Sequence, residues 1–258
     1  MKCCICGTVR NCEKYLDKIF NTMKQIETIF DECVIILYYD NSNDNTLIKL
    51  KEYDEKFSNF ILYVNTNKML QYRTHRIAAG RNKCLQIMRE KYPSFEYFIM
   101  MDCDDKGAYK IKLPLLKNYL RSTKWDALSF NHPVGYYDSW ALSIRPHIIS
   151  HCFLDRRGGV KTLNKLIKSC PANRLIKCLS AFNGFAIYRA NKFVNCFYDG
   201  KFNLGYIPTN LINENIRYAG EFNLSRKNKE DCEHRSFHIN AVLKNKAKIR
   251  ISPHCLFV

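Results

Sequence analysis

Apolar and polar positions follow two alternating periods along the first part of the chain, and the alternation predicts strands and helices in turn. Short, mostly apolar runs are typical of buried strands, and they lie at 2–9, 34–39, 60–64 and 97–101. Apolar residues at steps of three and four predict helices over 12–30 and 73–91, and a third helix is expected from an N-cap at Asp44 to about Phe57. This β-α order over residues 1–105 predicts a parallel sheet flanked by helices.

The second part of the chain, from 106 to 258, has a less regular pattern. Strands are expected at 125–130, 181–188 and 248–252, and short helices near 111 and over 190–196. Residues 131–160 and 199–232 are predicted to be loops because they are polar or rich in Gly and Pro. We therefore expect one α/β domain with a mainly parallel central sheet and an irregular C-terminal half.

Two polar clusters directly follow predicted strands. DCDD stands at 102–105 after the strand at 97–101, and DNSND stands at 40–44 after the strand at 34–39. Ligands of parallel sheets bind beyond the carboxyl ends of the strands, so both clusters are expected at one edge. Mg²⁺ and Mn²⁺ are held by one or two carboxylates together with phosphate oxygens. A bare D-x-D is more often an acidic turn that caps a helix, but its place after a buried strand favours the metal site.

Asp40 and three arginines complete the candidate ligand-binding set. The Asp40 carboxylate suits a base imide or a ribose hydroxyl, whereas the alternative is an Asx-rich turn with no ligand. The predicted helix at 73–91 opens with Arg73, Arg76 and Arg81. Guanidinium groups suit diphosphate oxygens, and an ordinary basic helix face is an equally good explanation for any single one of them.

The composition of the chain limits the kinds of molecule that it is expected to bind. The chain has 41 Lys and Arg against 24 Asp and Glu, a net charge of +17 that attracts polyanions. Zinc-finger spacing and RNP-type motifs are absent from the sequence, so no nucleic-acid partner is expected. The 13 cysteines lie mostly among apolar residues, which indicates free thiols and a reducing, cytoplasmic compartment. The sequence shows no signal peptide and no apolar run near the roughly 20 residues of a membrane span. It does not predict the oligomeric state.

The series of motifs resembles the nucleotide-sugar half of GT-A glycosyltransferases. It consists of D-N-S-x-D-x-T from Asp40, R-x-A-x-G-R-N from Arg76, and D-x-D-D from Asp102 after a strand. The segments GTVRNCEKYLDKI, YYDSW, FNG, EDCEHRSFH and KIRISPHCLFV, in this order, are similar to the fungal capsular-polysaccharide α-1,3-mannosyltransferase family and its relatives in large DNA viruses. The resemblance covers nearly the whole chain, and a viral origin would place the protein in the host cytoplasm or the virion.

The resemblance implies a single GT-A domain in which 1–105 binds a UDP- or GDP-sugar and 106–258 binds a glycan or glycoconjugate acceptor. The residues that would contact the donor are Asp40, Asn41, Ser42, Arg76, Arg81, Asp102, Asn183 and Gly184. Those that would hold Mn²⁺ or Mg²⁺ are Asp102, Asp104 and His254. The chain departs from the fungal pattern at Phe182, where a Trp is expected, and this leaves the sugar open.

The resemblance further implies a carboxylate beside the acceptor, supplied by Asp231 or Glu233. Such a group acts as general base if the reaction inverts configuration, and Asp231 is the favoured one of the two. The alternative is that both are acidic residues stabilised at a helix N-terminus by its dipole.

Two other functions are compatible with these motifs. A sugar-phosphate nucleotidyltransferase also has an α/β sheet and an acidic metal site, but it usually opens with a Gly-rich loop, and only Gly7 occurs there. A non-catalytic binding protein on a degenerate GT-A scaffold would not need intact acidic clusters. Metal-dependent glycosyl transfer is therefore the preferred interpretation.

Overall fold

The computed structural model describes residues 1–149, 158–219 and 229–258, with the side chains of 158–160 and 219 left out. The strands in this part are β1 (Lys2–Val9), β2 (Glu32–Tyr39), β3 (Phe60–Val64), β4 (Tyr97–Asp102), β5 (Ala127–Asn131), β6 (Ile176–Cys178), β7 (Phe185–Arg189) and β8 (Ile249–Cys255). The helices are α1 (Glu13–Glu27), α2 (Thr46–Lys56), α3 (Arg73–Lys91), α4 (Leu113–Leu120), α5 (Gly158–Ser169), α6 (Thr209–Ala219) and α7 (Glu233–Asn245).

All of these strands belong to one mostly parallel sheet, in the order β3-β2-β1-β4-β7-β5-β8-β6. Strands β1 to β4 run parallel, β7 is antiparallel to both of its neighbours, and β6 is antiparallel to β8. The register pairs Val9 with Tyr39 and Thr8 with Asp102, so β1, β2 and β4 end side by side. The predicted α/β fold is confirmed, and both acidic clusters lie at one edge.

Two apolar layers cover the two faces of the sheet. Cys4 and Cys6 of β1 point into the layer that contains residues of α3, α5 and α7. Cys3 and Ile5 point into the layer that contains residues of α1, α2 and α4. Burial on both faces explains why the parallel strands appear as continuous apolar runs rather than as alternating patterns.

The predicted bounds hold well in the first half. Strands β1 and β3 and helix α3 have the expected limits, and β2 begins two positions earlier than expected. Helix α2 begins at Thr46 with Asn45 at the N-cap, so the N-cap prediction for Asp44 was wrong by one residue. The Asp44 carboxylate nevertheless accepts hydrogen bonds from the backbone N–H groups of Thr46 and Glu13, and so serves two helix starts.

The second half departs more from expectation. The loop predicted over 199–232 contains helix α6, so the prediction was wrong there: Leu211, Ile212 and Ile216 fall on one side of a helix within a largely polar stretch. Helix α5 and strand β6 were not predicted, and the expected helix at 190–196 is only a 3-10 turn, Ala190–Lys192. Parts of the predicted loops, 150–157 and 220–228, lie outside the described residues.

The cysteines of the described ranges are all free thiols, and most of them are buried. Within those ranges, none of the helices combines the length and the apolar character that a membrane span requires.

Candidate functional site

A cavity of about 410 Å³ opens at the carboxyl edge of the parallel strands. Its walls are formed by the end of β1 and the turn after it, by Asp40, by Arg73 and Arg76 of α3, and by residues 102–104. Helix α3 can lie close to the sheet because Gly80 has no side chain: a Cβ there would meet Thr8 and Tyr38 at 2.6 Å. This close packing brings the arginines of α3 to the edge where the acidic clusters lie.

Arg81 connects the two halves of the chain at this edge. Its Nη2 donates to Asp102 Oδ1 at 2.8 Å, and its Nη1 donates to Glu233 Oε1 at 2.6 Å. The same Nη1 contacts Nε2 of His234, and the guanidinium group stacks over the Phe182 ring at 4.7 Å. The side chain of Arg81 is only 3% exposed. Since burial of an unpaired charge is very unfavourable, the two carboxylates are what hold Arg81 in place.

The carboxylates around Arg81 have shifted acidities. Burial raises the pKa of Asp102, Arg81 opposes that rise, and the Asp104 and Asp138 carboxylates add to it. Burial also raises the pKa of Glu233, again opposed by Arg81. Burial works against the charge of Arg81 itself, but Glu233 and Asp102 raise its pKa above the ordinary value. The cluster carries more negative than positive charge and would be relieved by a further cation.

Asp104 lies beside Asp102 on the cavity wall. Its Oδ1 accepts a hydrogen bond from the backbone N–H of Lys106 at 2.9 Å. Asp105 does not line the cavity and pairs instead with Lys106 on the surface, at 2.8 Å. Across 1–149, 158–219 and 229–258 there is no cluster of three or more His, Cys, Asp or Glu side chains that could hold a metal ion. A divalent cation here would therefore combine the two carboxylates with ligand or water oxygens.

His254 is not brought to this pair. Its Nδ1 lies 2.9 Å from the hydroxyl oxygen of Tyr119, against helix α4, and the residue is not among those lining the cavity. The metal-ligand role that the resemblance implies for His254 stays a prediction.

Asp40 is 7% exposed and faces the cavity. Its Oδ1 accepts from the backbone N–H of Asn41 at 3.1 Å and from the Asn65 side-chain amide at 3.3 Å, and its Oδ2 lies 3.7 Å from Nε of Arg76. Ser42 shapes the turn, because its hydroxyl donates to the Asp40 carbonyl. Asn65 was not among the predicted site residues, although it directly follows β3 as Asp40 directly follows β2.

The arginines of α3 differ in how firmly they are held. Nη1 of Arg76 donates to the backbone carbonyls of Leu70 and Gln71, at 2.8 and 3.0 Å. Arg73 lines the cavity, is exposed, and has no ion-pair partner within the described ranges. Arg73 and Arg76 therefore place positive charge in the same cavity as the Asp102 and Asp104 carboxylates.

Asn183 and Gly184 lie next to Asp102 and have a left-handed backbone, with φ of +75° and +83°. The Asn183 side chain is 2% exposed, and its Oδ1 accepts from the backbone N–H groups of Tyr137 and Asp138. Its Nδ2 donates to the carbonyl of Phe130 at 2.9 Å. The Asn183 amide therefore positions the loop at 137–138. Gly184 has no side chain, and its backbone carbonyl accepts the backbone N–H of Asp102.

Asp231 and Glu233 have different environments although only Cys232 separates them. Both oxygens of Asp231 accept from the Arg235 guanidinium group at 2.9 Å, and Oδ1 also accepts the N–H of Cys232. Arg235 in turn donates to the carbonyl of Trp140 and the hydroxyl of Ser143. The Asp231 carboxylate is thus committed to organising the core, whereas Glu233 is buried against Arg81, which also binds the cavity-lining Asp102.

Comparison with known proteins gives the family and the fold of the chain. The model of glycosyl transferase family 2 matches residues 4–193. The comparison with curated protein sequences found no match. The structure of S. aureus TarS 1–349 is similar over 100% of this chain and 60% of that one, with a TM-score of 0.51 and 16% identity.

Two further solved structures are more distant. The TarS 1–349 complex with UDP-GlcNAc has a TM-score of 0.49 at 16% identity over 100% of this chain and 58% of that one. The mannosyltransferase PcManGT of Pyrobaculum calidifontis, in complex with GDP-Man and Mn²⁺, has a TM-score of 0.42 at 12% identity over 76% and 47%. The chain thus spans about 60% of the length of the TarS chain it matches. At these identities the similarity shows the fold alone, which is GT-A.

Proposed function

The chain belongs to glycosyl transferase family 2, and we propose that it moves a sugar from a UDP- or GDP-linked donor to a hydroxyl group of a glycan or glycoconjugate, in a reaction that requires Mn²⁺ or Mg²⁺. The observation that carries this proposal is the cavity in which Asp102 and Asp104 face Arg73 and Arg76. The family is one of glycosyltransferases, so it favours this function over nucleotidyl transfer and over a non-catalytic scaffold.

The cavity suits the two parts of a nucleotide diphosphate. Its volume is within the roughly 300–1,000 Å³ typical of small-molecule sites. Arg73 and Arg76 supply guanidinium groups for the diphosphate oxygens, and Arg73 has a side chain available for a ligand. Asp40, supported by Asn65, would accept a hydrogen bond from the base or the ribose. The turn residues Asn41 and Ser42 would line this end, and the net charge of +17 would draw in the anionic donor.

The acidic residues present fit a divalent cation. Asp104 would be the principal ligand with Asp102 beside it, because Mg²⁺ and Mn²⁺ commonly use one or two carboxylates and complete their shell with phosphate and water oxygens. When bound, the cation would neutralise charge on the leaving diphosphate as a Lewis acid. Arg81 fixes Asp102 through Oδ1 and so leaves Oδ2 for the ligand.

On the acceptor side, Glu233 is the carboxylate that we propose for the proton transfer. In an inverting transfer it would accept the proton of the attacking hydroxyl while the bond to the diphosphate breaks. Burial keeps the pKa of Glu233 above its ordinary value, which brings a carboxylate base closer to neutral pH. Asp231 would act indirectly, since its ion pair with Arg235 positions the loop at 140–148.

Finer points of the resemblance stay predictions. They are the relation to fungal capsular mannosyltransferases and large DNA viruses, mannose as the transferred sugar, Asn183 and Gly184 as donor contacts, and His254 as a metal ligand. Phe182 stacks on His234 and lies under Arg81. The aromatic position before Asn183 therefore supports the Arg81 cluster in this chain.

A thermal-shift screen of UDP- and GDP-sugars, with Mn²⁺ or with EDTA, tests the proposal. A ligand that binds the native state raises apparent stability by about 2.7 kcal/mol at a hundredfold excess over Kd. We expect at least one nucleotide sugar to raise Tm with Mn²⁺ and to do so much less with EDTA. If none of them shifts Tm, the proposed function is wrong.

A further inference from the structure

Tyr137 carries a polar group that the fold leaves unsatisfied. Its hydroxyl oxygen is buried, and within the described ranges it makes no hydrogen bond. Buried polar groups in native proteins are nearly always paired, and an orphaned one is destabilising. Tyr137 does not line the cavity itself, but its hydroxyl lies near Asp102, which does. A hydroxyl left unpaired beside a cavity-lining carboxylate points to a ligand as its partner.

The location of this hydroxyl is defined by Gly184. A Cβ on Gly184 would lie 2.0 Å from the Tyr137 hydroxyl oxygen and 3.8 Å from Oδ2 of Asp102. The Tyr137 hydroxyl therefore fills the position that a side chain at residue 184 would need, and Oδ2 of Asp102 lies close to it. Oδ2 is the Asp102 oxygen that Arg81 does not bind.

The loop that carries Tyr137 is held firmly. The Asn183 side chain accepts both the Tyr137 and the Asp138 backbone N–H groups, at 2.8 and 3.1 Å. The Tyr137 ring meets the ring of His132 edge to face, with centroids 5.5 Å apart. The hydroxyl is thus placed by packing and hydrogen bonds rather than by a freely rotating side chain.

The chemistry of the pair selects the kind of ligand. The Tyr137 hydroxyl is an O–H group and can donate a hydrogen bond. The neighbouring Asp102 oxygen can only accept when ionised. A phosphate offers acceptors alone and would be repelled by Asp102, whereas a sugar hydroxyl can accept from Tyr137 and donate to Asp102 at once.

We propose that the Tyr137 hydroxyl, together with Asp102 Oδ2, recognises a hydroxyl group of the donor sugar and makes Tyr137 a specificity-determining residue. This inference rests on the proposed function, because it assigns the sugar end of the same donor site. A site built to hydrogen-bond a substrate hydroxyl discriminates strongly against donors that lack it.

Tyr137→Phe is the test variant, and Tyr136→Phe is its matched control. The Tyr136 hydroxyl is also buried, but it accepts the backbone N–H of Phe182 at 3.2 Å. Titration calorimetry with Mn²⁺ would measure binding of UDP and GDP, and of UDP-glucose, UDP-N-acetylglucosamine and GDP-mannose, to the three proteins. Thermal unfolding without ligand would be recorded alongside.

We expect Tyr137→Phe to bind the free nucleotide as wild type does and to lose roughly three- to tenfold in affinity for the nucleotide sugar, as for one neutral hydrogen bond. Without ligand its Tm should equal or exceed that of wild type, because an unsatisfied hydroxyl has been removed. Tyr136→Phe should lower Tm and leave the ratio of the two affinities unchanged.

Three outcomes would overturn the inference. Equal affinity of Tyr137→Phe and wild type for the nucleotide sugar removes the recognition role, and an equal loss for nucleotide and nucleotide sugar assigns Tyr137 to the diphosphate instead. Either result leaves the proposed function standing. If wild type binds none of the five ligands, the proposed function fails and the inference fails with it.

Discussion

Arg81 bridges Asp102 at the end of β4 and Glu233 at the start of α7, with N–O distances of 2.8 and 2.6 Å across 152 residues of sequence between Arg81 and Glu233. One buried cation therefore joins an acidic residue of the N-terminal part, 1–105, to one of the C-terminal part, 106–258.

Replacing Arg81 should be far more damaging to the fold than replacing Arg76. Arg81→Ala leaves the buried Glu233 and the partly exposed Asp102 without their cation, which should lower the free energy of unfolding by about 3–5 kcal/mol. Arg76 is more exposed and lies 3.7 Å from Asp40, so Arg76→Ala should cost about 1 kcal/mol and mainly weaken donor binding. Urea denaturation measures both. Equal midpoints for Arg81→Ala and wild type would contradict this account.

The amide variants of Asp231 and Glu233 should differ in which property they lose: Asp231→Asn should lose mainly stability, and Glu233→Gln mainly activity. Asp231→Asn breaks a fully buried ion pair with Arg235 and should cost about 3–5 kcal/mol of stability. Glu233→Gln leaves Arg81 paired with Asp102 and should unfold less readily than Asp231→Asn. Loss of a general base should nevertheless reduce kcat by about 10²–10⁴.

Denaturation midpoints and initial rates of nucleotide release would be compared for the two variants. A stable but inactive Asp231→Asn, beside an active Glu233→Gln, would return the base role to Asp231.

Glu230 gives a pH-dependent prediction that is independent of the reaction. Its Oε1 accepts the Thr74 backbone N–H and hydroxyl, both at 3.0 Å, at the N-terminus of α3. The Thr74 backbone hydrogen bond, with the Thr74 hydroxyl, lowers the pKa of Glu230 although burial opposes it. A lowered carboxylate pKa stabilises the fold above the unfolded value of about 4.3 and ceases to do so as pH falls through the folded value.

Glu230→Gln keeps an acceptor oxygen but loses the charge, so it should be less stable than wild type by about 0.3–1 kcal/mol at pH 7, as for a carboxylate near a helix N-terminus. The difference should begin to shrink as pH falls below about 4 and should vanish only below the lowered pKa of folded Glu230. Thermal unfolding from pH 3 to pH 7 measures it. A difference that is constant over this range would show that the charge of Glu230 plays no part.

The sequence predicts the structure of residues 1–105 well for a physical reason. Strands covered on both faces are continuous apolar runs, and polar residues directly after them, such as Asp40 and Asp102, must lie at one edge of a parallel sheet. The C-terminal part, 106–258, is harder to predict because long polar stretches separate its elements. Asn215 of α6 is fully buried and accepts the backbone N–H groups of Ile148 and Ile149, a contact between distant segments that no local pattern predicts.

The choice between Asp231 and Glu233 shows where pattern reasoning ends. Both stand at the start of one helix, and each is a plausible base from the sequence. The difference is made by their cations: Arg235, one helical turn on from Asp231, and Arg81, which tertiary folding brings to Glu233. The orphaned Tyr137 hydroxyl and the committed Asn183 amide likewise depend on contacts across more than 40 residues.

The central claim is that Asp104 binds a divalent cation that also contacts the donor diphosphate in the cavity. The most direct test compares Asp104→Ala with Asp105→Ala. Asp105 is one residue away and carries the same charge, but it pairs with Lys106 outside the cavity. The measurement is release of UDP or GDP from the nucleotide sugar that binds wild type, as a function of Mn²⁺ concentration. We predict that Asp104→Ala loses the Mn²⁺-dependent rate while Asp105→Ala keeps it. Full Mn²⁺-dependent release by Asp104→Ala would contradict the assignment of this site.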